Sequence, residues 1–260
     1  MIDISKIKAL ILDMDGVLWR GNEPIGDLPA IFARFSARGW KVALATNNST
    51  LSVGQYVERL RKFGVEVQPQ QIINSAIAAA NYLSELHPQG GPVYTIGETG
   101  LHEALVARGF HHSEDQAIAV VVGMDRKLTY DKLRHATTLI RRGLPFIATN
   151  SDRTFPAPDG LVPGAGSILA ALEAACYLSP HVVGKPSPAM YEIALERLGV
   201  QPEAALVVGD RLETDIAGAQ AIGCRTALVL SGVATIEDAT AWSPPPDLIL
   251  NDLSAVAEQY

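Results

Sequence analysis

The sequence predicts an α/β protein built on a parallel β-sheet, and two features of the chain lead to this fold class. Short apolar runs recur along the chain, and they are continuous rather than alternating in polarity. Continuous runs are typical of strands that are buried on both faces, as in a parallel sheet covered by helices. Stretches with helical periodicity separate these runs, which is the pattern of an α/β fold.

The predicted elements alternate from the N-terminus to the C-terminus. The predicted strands are residues 9–12, 42–45, 93–96, 118–122, 146–148, 205–208 and 226–230. The predicted helices are residues 53–63, 75–86, 130–142, 164–176 and 188–198. Three of these helices are followed by Gly64, Gly143 and Gly199, at positions where a glycine commonly ends a helix.

The distribution of polar residues predicts how the chain divides into domains. Polar residues collect where the predicted strands end, and in open α/β sheets ligands bind at the carboxyl ends of the strands. The middle of the chain repeats the pattern, because the segment 148–151 (Ala-Thr-Asn-Ser) echoes 45–48 (Ala-Thr-Asn-Asn). We therefore predict a core domain of residues 1–88 and 182–260, interrupted by a second α/β domain of residues 89–181.

The composition excludes several classes of function. Of the 260 residues, 48% are hydrophobic and 19% are charged, so the chain can bury a sizeable core. It has 21 Lys and Arg against 28 Asp and Glu, a net charge of −7 without a basic block, which disfavours nucleic-acid and anionic-membrane partners. We see neither a signal peptide nor an apolar run of about 20 residues. These features predict a cytoplasmic protein.

The sequence Asp13-Met-Asp15-Gly16 directly follows the first apolar run and carries the strongest chemical signal. Two carboxylates on a tight turn can converge on one site, with Asp13 as a nucleophile toward phosphorus. Asp15 can donate a proton to a leaving oxygen and then take one from water. The same letters also fit a turn cap, a calcium loop or a metal-dependent glycosyltransferase, so the motif alone leaves these alternatives open.

Two further segments could bind an anion. Thr46-Asn47-Asn48-Ser49 follows the second predicted strand, and we expect it to open the next helix with a hydroxyl and free N–H groups. Plain helix capping explains the same residues. Lys185 lies just before a helix that Pro188 could begin, where its ammonium could meet an anionic group.

The segment Gly209-Asp210-Arg-Leu-Glu-Thr-Asp215 follows another apolar strand. At this spacing Asp210 and Asp215 can both face a cation, and oxygen ligands without a His or Cys cluster favour Mg²⁺ over zinc. Helix capping by Asp210, with Asp215 in the first helical turn, is the simpler alternative.

Taken together, these four segments resemble the four signature motifs of the haloacid dehalogenase-like (HAD) hydrolase superfamily, in order along the chain. They are most similar to its NagD-like, 4-nitrophenylphosphatase-type branch. The resemblance implies a Rossmann-like parallel-sheet core with an inserted α/β cap domain. It also implies a phosphoric monoester hydrolase that acts on a small phosphomonoester, and it allows a homodimer.

The resemblance implies a role for each acidic residue. Asp13 is the implied nucleophile, forming an aspartyl-phosphate, and Asp15 is the implied general acid and base. Mg²⁺ is implied on the carboxylates of Asp13 and Asp210 and on the backbone carbonyl of Asp15. Asp215 would support the hydrated ion without binding it directly.

The resemblance also implies phosphate ligands and a specificity region. Thr46, Asn47 and Asn48 would bind the phosphate, and Lys185 would hold both the phosphate and the nucleophile. The loop at 152–156 would face the substrate, and its candidate specificity residues are Asp152, Arg153 and Phe155.

The spacing of the motifs locates the cap domain. The 31 positions from Asp15 to Thr46 leave no room for a helical cap, whereas the 139 positions from Thr46 to Lys185 accommodate an α/β insert.

Two other classes of function remain open at this point. One is a phosphotransferase or mutase, in which a second hydroxyl replaces water. The other is a non-catalytic ligand-binding protein on the same scaffold.

Overall fold

The computed structural model describes residues 3–157 and 160–258. The strands in chain order are β1 (Ala9–Leu12), β2 (Trp19–Arg20), β3 (Glu23–Pro24), β4 (Lys41–Thr46), β5 (Ile72–Asn74), β6 (Gly91–Ile96), β7 (Phe110–His112), β8 (Val120–Val122), β9 (Phe146–Ala148), β10 (Thr154–Ala157), β11 (Gly160–Pro163), β12 (His181–Val182), β13 (Ala205–Gly209), β14 (Arg225–Val229) and β15 (Leu248–Leu250). The α-helices are α1 (Leu28–Ala37), α2 (Val53–Lys62), α3 (Ser75–Leu86), α4 (Thr99–Val106), α5 (Tyr130–Arg141), α6 (Ala165–Cys176), α7 (Ala189–Leu198), α8 (Ala217–Ala221), α9 (Ile236–Ala241) and α10 (Leu253–Glu258).

The chain divides into two compact units. The first unit comprises the residues up to Thr46, Gly54–Ile73 and those from Lys185 onward, and the second comprises Asn47–Val53 and Asn74–Gly184. The predicted domain boundaries, after residues 88 and 181, stay a prediction. The two compact units differ from the predicted domains chiefly because residues 74–88 belong to the second unit, in which α3 packs against α4.

The first unit is built on a six-stranded sheet with the order β15-β14-β13-β1-β4-β5. The central strand β1 pairs in parallel with both β13 and β4, and every one of its residues is fully buried. Leu12, the last residue of β1, lies opposite Val208 on one side and Leu44 on the other. The carboxyl ends of β1, β4 and β13 therefore meet at one edge of the sheet.

The second unit contains a five-stranded sheet with the order β12-β9-β8-β6-β7, in which all four pairings are parallel. Its core includes Ile96, Val120 and Val122 of the sheet, which pack with Ile140 of α5 and Leu172 of α6. The hairpin β10–β11 is a separate two-stranded antiparallel sheet.

The predicted helices are confirmed to within one residue at each end, because local sequence signals fix their ends. Asn74 and Thr129 cap α3 and α5, accepting hydrogen bonds from the backbone N–H groups of Ile77 and Lys132. Gly199 ends α7 in the left-handed conformation at φ 64°. Across the two described ranges, no helix has the length and apolar character needed to cross a membrane.

Candidate active site

Three strand ends at the carboxyl edge of the first sheet carry predicted site residues. Asp13 follows β1, and its N–H donates to the carbonyl of Val208 at 2.9 Å. Asp210 follows β13, and Thr46 is the last residue of β4. The parallel register of three neighbouring strands therefore brings these residues together, although they are far apart in the sequence.

Lys185 is the cation of this site and is only 3% exposed. Its Nζ donates to Asp13 Oδ1 at 2.5 Å, to Asp215 Oδ1 at 2.6 Å and to the carbonyl of Ala45 at 3.1 Å. Burial opposes the charged form of Lys185, but the attraction of Asp13 and Asp215 outweighs it and raises the pKa of the ammonium well above its ordinary value. The ammonium therefore stays charged and fixes the position of one Asp13 oxygen.

Three carboxylates of this site lie close enough to one another to hold a metal ion. One oxygen from each of Asp13, Asp210 and Asp215 lies within 4.8 Å of the other two. Burial raises the pKa of Asp13 well above its ordinary value, against the opposing effect of Lys185. Burial, followed by repulsion from Asp215, raises the pKa of Asp210 to about 7. Buried carboxylate oxygens are the donors that Mg²⁺ prefers, so the residues present fit this ion.

An unusual turn of the chain places Asp215 beside the carboxylates of Asp13 and Asp210. Residues Leu212–Ile216 form a π-helical turn, a conformation that is frequent at functional sites. One oxygen of Asp215 accepts from Lys185, and the other accepts from the backbone N–H of Arg211 at 3.2 Å. Both oxygens thus have protein donors, and the indirect support of the ion by Asp215 stays a prediction.

Two glycines leave room for Asp210. Gly16 has a φ of +85°, and a Cβ there would lie 2.4 Å from Asp210 Oδ2. A Cβ on Gly232 would lie 1.9 Å from the same atom. The requirement for a glycine after Asp15 is visible in the sequence, whereas the role of Gly232 depends on the pairing of β14 with β13.

Asp15 has a partner that the sequence did not reveal. The indole N–H of Trp19 donates to Asp15 Oδ1 at 2.8 Å. The Arg59 guanidinium lies 4.2 Å from the centre of the Trp19 ring, and Tyr56 stacks on the same ring at 6.5 Å. Burial raises the pKa of Asp15, with Trp19 acting in the opposite direction. A carboxyl group in this setting keeps its proton to higher pH than an exposed one, as a general acid requires.

The segment after Thr46 does not open a helix, so that expectation is wrong. The helix α2 begins at Val53, and the side chain of Asn48 instead accepts hydrogen bonds from the N–H and hydroxyl of Thr50, at 3.0 and 2.7 Å. Asn and Asp side chains commonly make such turns, which compete with helix formation. The binding of phosphate by Thr46, Asn47 and Asn48 stays a prediction, but it cannot rest on a helix N-terminus.

The predicted specificity residues all lie in the second unit. Asp152 faces the Asn47 amide, with Asn47 Nδ2 3.4 Å from each carboxylate oxygen. Arg153 is exposed, and its carbonyl accepts from the hydroxyl of Ser167 at 2.8 Å. Phe155 is half-buried in β10, so the expected loop is in part a strand of the β10–β11 hairpin. Their contribution to specificity stays a prediction.

Comparison with known proteins agrees with this fold. Residues 10–111 match the family described as haloacid dehalogenase-like hydrolase, and residues 182–256 match a HAD-hydrolase-like family. The chain is 36% identical over 257 residues to an acid sugar phosphatase of Staphylococcus aureus, which covers 98% of this chain and 99% of the relative.

Solved structures show the same similarity over nearly the whole chain. A p-nitrophenyl phosphatase from Archaeoglobus fulgidus has a TM-score of 0.91 and 36% identity, covering 98% of this chain and 99% of that one. A glycerol phosphate phosphatase from Mycobacterium tuberculosis, solved in complex with magnesium, has a TM-score of 0.91 and 33% identity, covering 98% and 78%.

The chain therefore belongs to the haloacid dehalogenase-like hydrolases. Within that superfamily it belongs to the NagD-like, 4-nitrophenylphosphatase-type branch. The predicted α/β class with a parallel-sheet core is confirmed, and so is the prediction of a phosphatase-type hydrolase.

Proposed function

We propose that this protein is a Mg²⁺-dependent phosphatase that hydrolyses a small phosphomonoester through an aspartyl-phosphate on Asp13. The observation that carries the proposal is the contact between Lys185 Nζ and Asp13 Oδ1 at 2.5 Å, beside the carboxylates of Asp210 and Asp215. A buried lysine that holds one oxygen of a carboxylate leaves the other oxygen available as a nucleophile.

In the first step Asp13 attacks phosphorus. The new bond joins its carboxylate oxygen to phosphorus, and the bond from phosphorus to the ester oxygen breaks. Asp15 donates its proton to that departing oxygen, which leaves as an alcohol. The raised pKa of Asp15, caused by burial, favours the protonated carboxyl that this step needs.

In the second step water cleaves the intermediate. Asp15, now ionised, takes a proton from the water as its oxygen bonds to phosphorus. The bond between phosphorus and Asp13 breaks, which releases inorganic phosphate and restores the carboxylate. Lys185 keeps the same position in both steps and offsets negative charge on the transferring group.

Mg²⁺ fits the donors of this site. Asp13 and Asp210 would hold it through their carboxylates and Asp15 through its backbone carbonyl, with Asp215 supporting the hydrated ion. When bound, the ion supplies positive charge that stabilises the phosphoryl oxygens and offsets the repulsion between phosphate and carboxylates.

The substrate belongs to the class of small phosphate esters. The relatives are named for sugar phosphate, p-nitrophenyl phosphate and glycerol phosphate, and these names support a sugar phosphate or a similar small metabolite, while a nucleotide stays a prediction. The candidate residues for selecting among them are Asp152, Arg153 and Phe155. Cytoplasmic location and a homodimer stay predictions.

The proposal is tested by following phosphate release from a panel of phosphate esters with Mg²⁺. Asp13→Asn removes the nucleophile and should abolish turnover while leaving the fold intact. EDTA should stop release and added Mg²⁺ should restore it. Full activity in the Asp13 variant, or release that EDTA does not change, would contradict the proposal. Adding a sugar acceptor separates hydrolysis from phosphotransfer, because only a transferase forms a new phosphate ester.

A further inference from the structure

The segment Asn47–Val53 leaves the first sheet but is held by the second unit. Asn74 Nδ2 donates to the carbonyl of Leu51 at 3.1 Å, and the N–H of Gly100 donates to the carbonyl of Thr50 at 3.0 Å. The chain thus passes from one unit to the other between Thr46 and Asn47, inside the predicted phosphate-binding segment.

The carbonyl of Asn47 receives two hydrogen bonds from buried side chains of the second unit. The hydroxyl of Ser75, which is fully buried, donates at 2.5 Å. The amide of Asn150, which is 5% exposed, donates at 2.8 Å. The orientation of this amide is defined by its other end, because Asn150 Oδ1 accepts from the N–H of Asp152 at 3.1 Å.

Other groups of the second unit confine the side chain of Asn47. Its Nδ2 lies 3.4 Å from both oxygens of Asp152. A Cβ on Gly184 would lie 2.7 Å from Asn47 Oδ1 and 2.3 Å from the carbonyl oxygen of Thr149. The side chain and the carbonyl of Asn47 are therefore both held.

Holding this carbonyl also orients the next N–H group. The carbonyl of Asn47 and the N–H of Asn48 belong to one planar trans peptide, in which they point in opposite directions. Ser75 and Asn150 lie on the carbonyl side and so fix the N–H of Asn48 on the other side. A segment that is held in one conformation in advance binds an anion without the cost of reorganisation.

We propose that Asn150 is a positioning residue for phosphate binding, which it supports by fixing the peptide between Asn47 and Asn48 together with Ser75. This inference rests on the proposed function, in which that segment binds the phosphate. It also gives a structural role to the echo of the segment at 149–150, since Ser49 Oγ lies 3.2 Å from Thr149 Oγ1 and Asn150 binds Asn47.

The test measures inorganic phosphate as a product inhibitor of the Mg²⁺-loaded enzyme, with 4-nitrophenyl phosphate as the substrate. Asn150→Asp keeps the shape and the acceptor oxygen but removes the donor. The inhibition constant of phosphate and the KM should rise together by about three- to tenfold, with kcat changed by less than about twofold. Ser75→Ala should also raise the inhibition constant of phosphate and the KM. This second variant keeps the proposal testable if a buried carboxylate at position 150 prevents folding.

Ile140→Val is the matched control, because Ile140 is buried in the second unit within the core formed by α5, α6 and the sheet. It should lower thermal stability without changing the inhibition constant of phosphate. If Asn150→Asp and Ser75→Ala fold normally and bind phosphate as the wild type does, the proposal is overturned. An equal weakening of phosphate binding in the Ile140 variant overturns it as well, since the effect would then be purely structural.

Phosphate binding measured by calorimetry separates this inference from the proposed function. A wild-type protein that binds phosphate but releases none from any ester contradicts the proposed function alone. In that case weaker binding by the Asn150 and Ser75 variants still supports the positioning role. A wild-type protein that does not bind phosphate overturns the positioning role.

Discussion

Asp210→Asn should make the metal-free protein more stable at alkaline pH. Burial and the neighbouring Asp215 raise the pKa of Asp210 from 3.8 to about 7. A carboxyl group whose pKa is raised by folding binds its proton more tightly in the folded state, so the free energy of unfolding falls as the pH rises between these two values. This difference in pKa lowers the free energy of unfolding by about 4 kcal/mol above pH 7 and by about 1.5 kcal/mol at pH 5, because each pKa unit corresponds to about 1.4 kcal/mol.

Asparagine removes this loss while keeping the local geometry. Asp210 Oδ2 accepts from the N–H of Val233 at 2.9 Å, and an amide oxygen can accept the same bond. In EDTA the variant should therefore exceed the wild type in free energy of unfolding by about 1.5 kcal/mol at pH 5 and by about 4 kcal/mol at pH 8.

Urea unfolding of both proteins at the two pH values, with and without Mg²⁺, measures the effect. With Mg²⁺ the order should reverse, because an amide is a weaker ligand for the ion than a carboxylate and the wild type gains more from binding. A difference between the two proteins in EDTA that is the same at pH 5 and pH 8 would refute the reasoning.

Three further predictions follow from the site. Lys185→Met leaves buried carboxylates unpaired, so in EDTA at pH 8 urea unfolding should show a loss of about 3–5 kcal/mol, which a change below about 1 kcal/mol contradicts. Trp19→Phe keeps an aromatic ring but removes the donor to Asp15 Oδ1. Steady-state kinetics on an alkyl phosphate should therefore show kcat falling by about tenfold at constant KM, and an unchanged kcat refutes this role. Replacing residues 152–156 should change kcat/KM among metabolite esters more than for 4-nitrophenyl phosphate, and equal losses on all substrates count against a specificity role.

The sequence predicted the regular elements wherever local signals are strong. The helices α3 and α5 have a periodic apolar face and a side-chain cap, so their limits could be placed closely. The two-residue strand β12 and the hairpin β10–β11 escaped prediction because so short a run carries no periodicity. Such elements are defined by their pairing partners, which lie elsewhere in the chain.

The same distinction applies to the site. The sequence alone could identify Asp13, Lys185 and Asp210 as candidate site residues, because each follows a recognisable strand or precedes a helix. The contacts of Trp19 with Asp15 and of Asn150 with Asn47 could not, because both depend on tertiary packing. The second pair joins residues 103 positions apart, and nothing local in the sequence indicates it.

The charge of the site explains why a divalent cation suits it. Asp13, Asp210 and Asp215, when ionised, bring three negative charges against the single positive charge of Lys185, which leaves −2 in a buried region. A buried charge without a partner is costly, and the region can relieve that cost either by binding protons or by binding a cation. The raised pKa values of Asp13 and Asp210, whose largest cause is burial, mean that these carboxylates bind protons more readily than exposed ones. One divalent ion cancels the charge completely while leaving Asp13 ionised, which a nucleophile requires and a proton prevents. In the proposed mechanism, where Asp13 attacks a negatively charged phosphate, the metal would therefore act twice: it would keep the nucleophile charged and remove the repulsion that this charge creates.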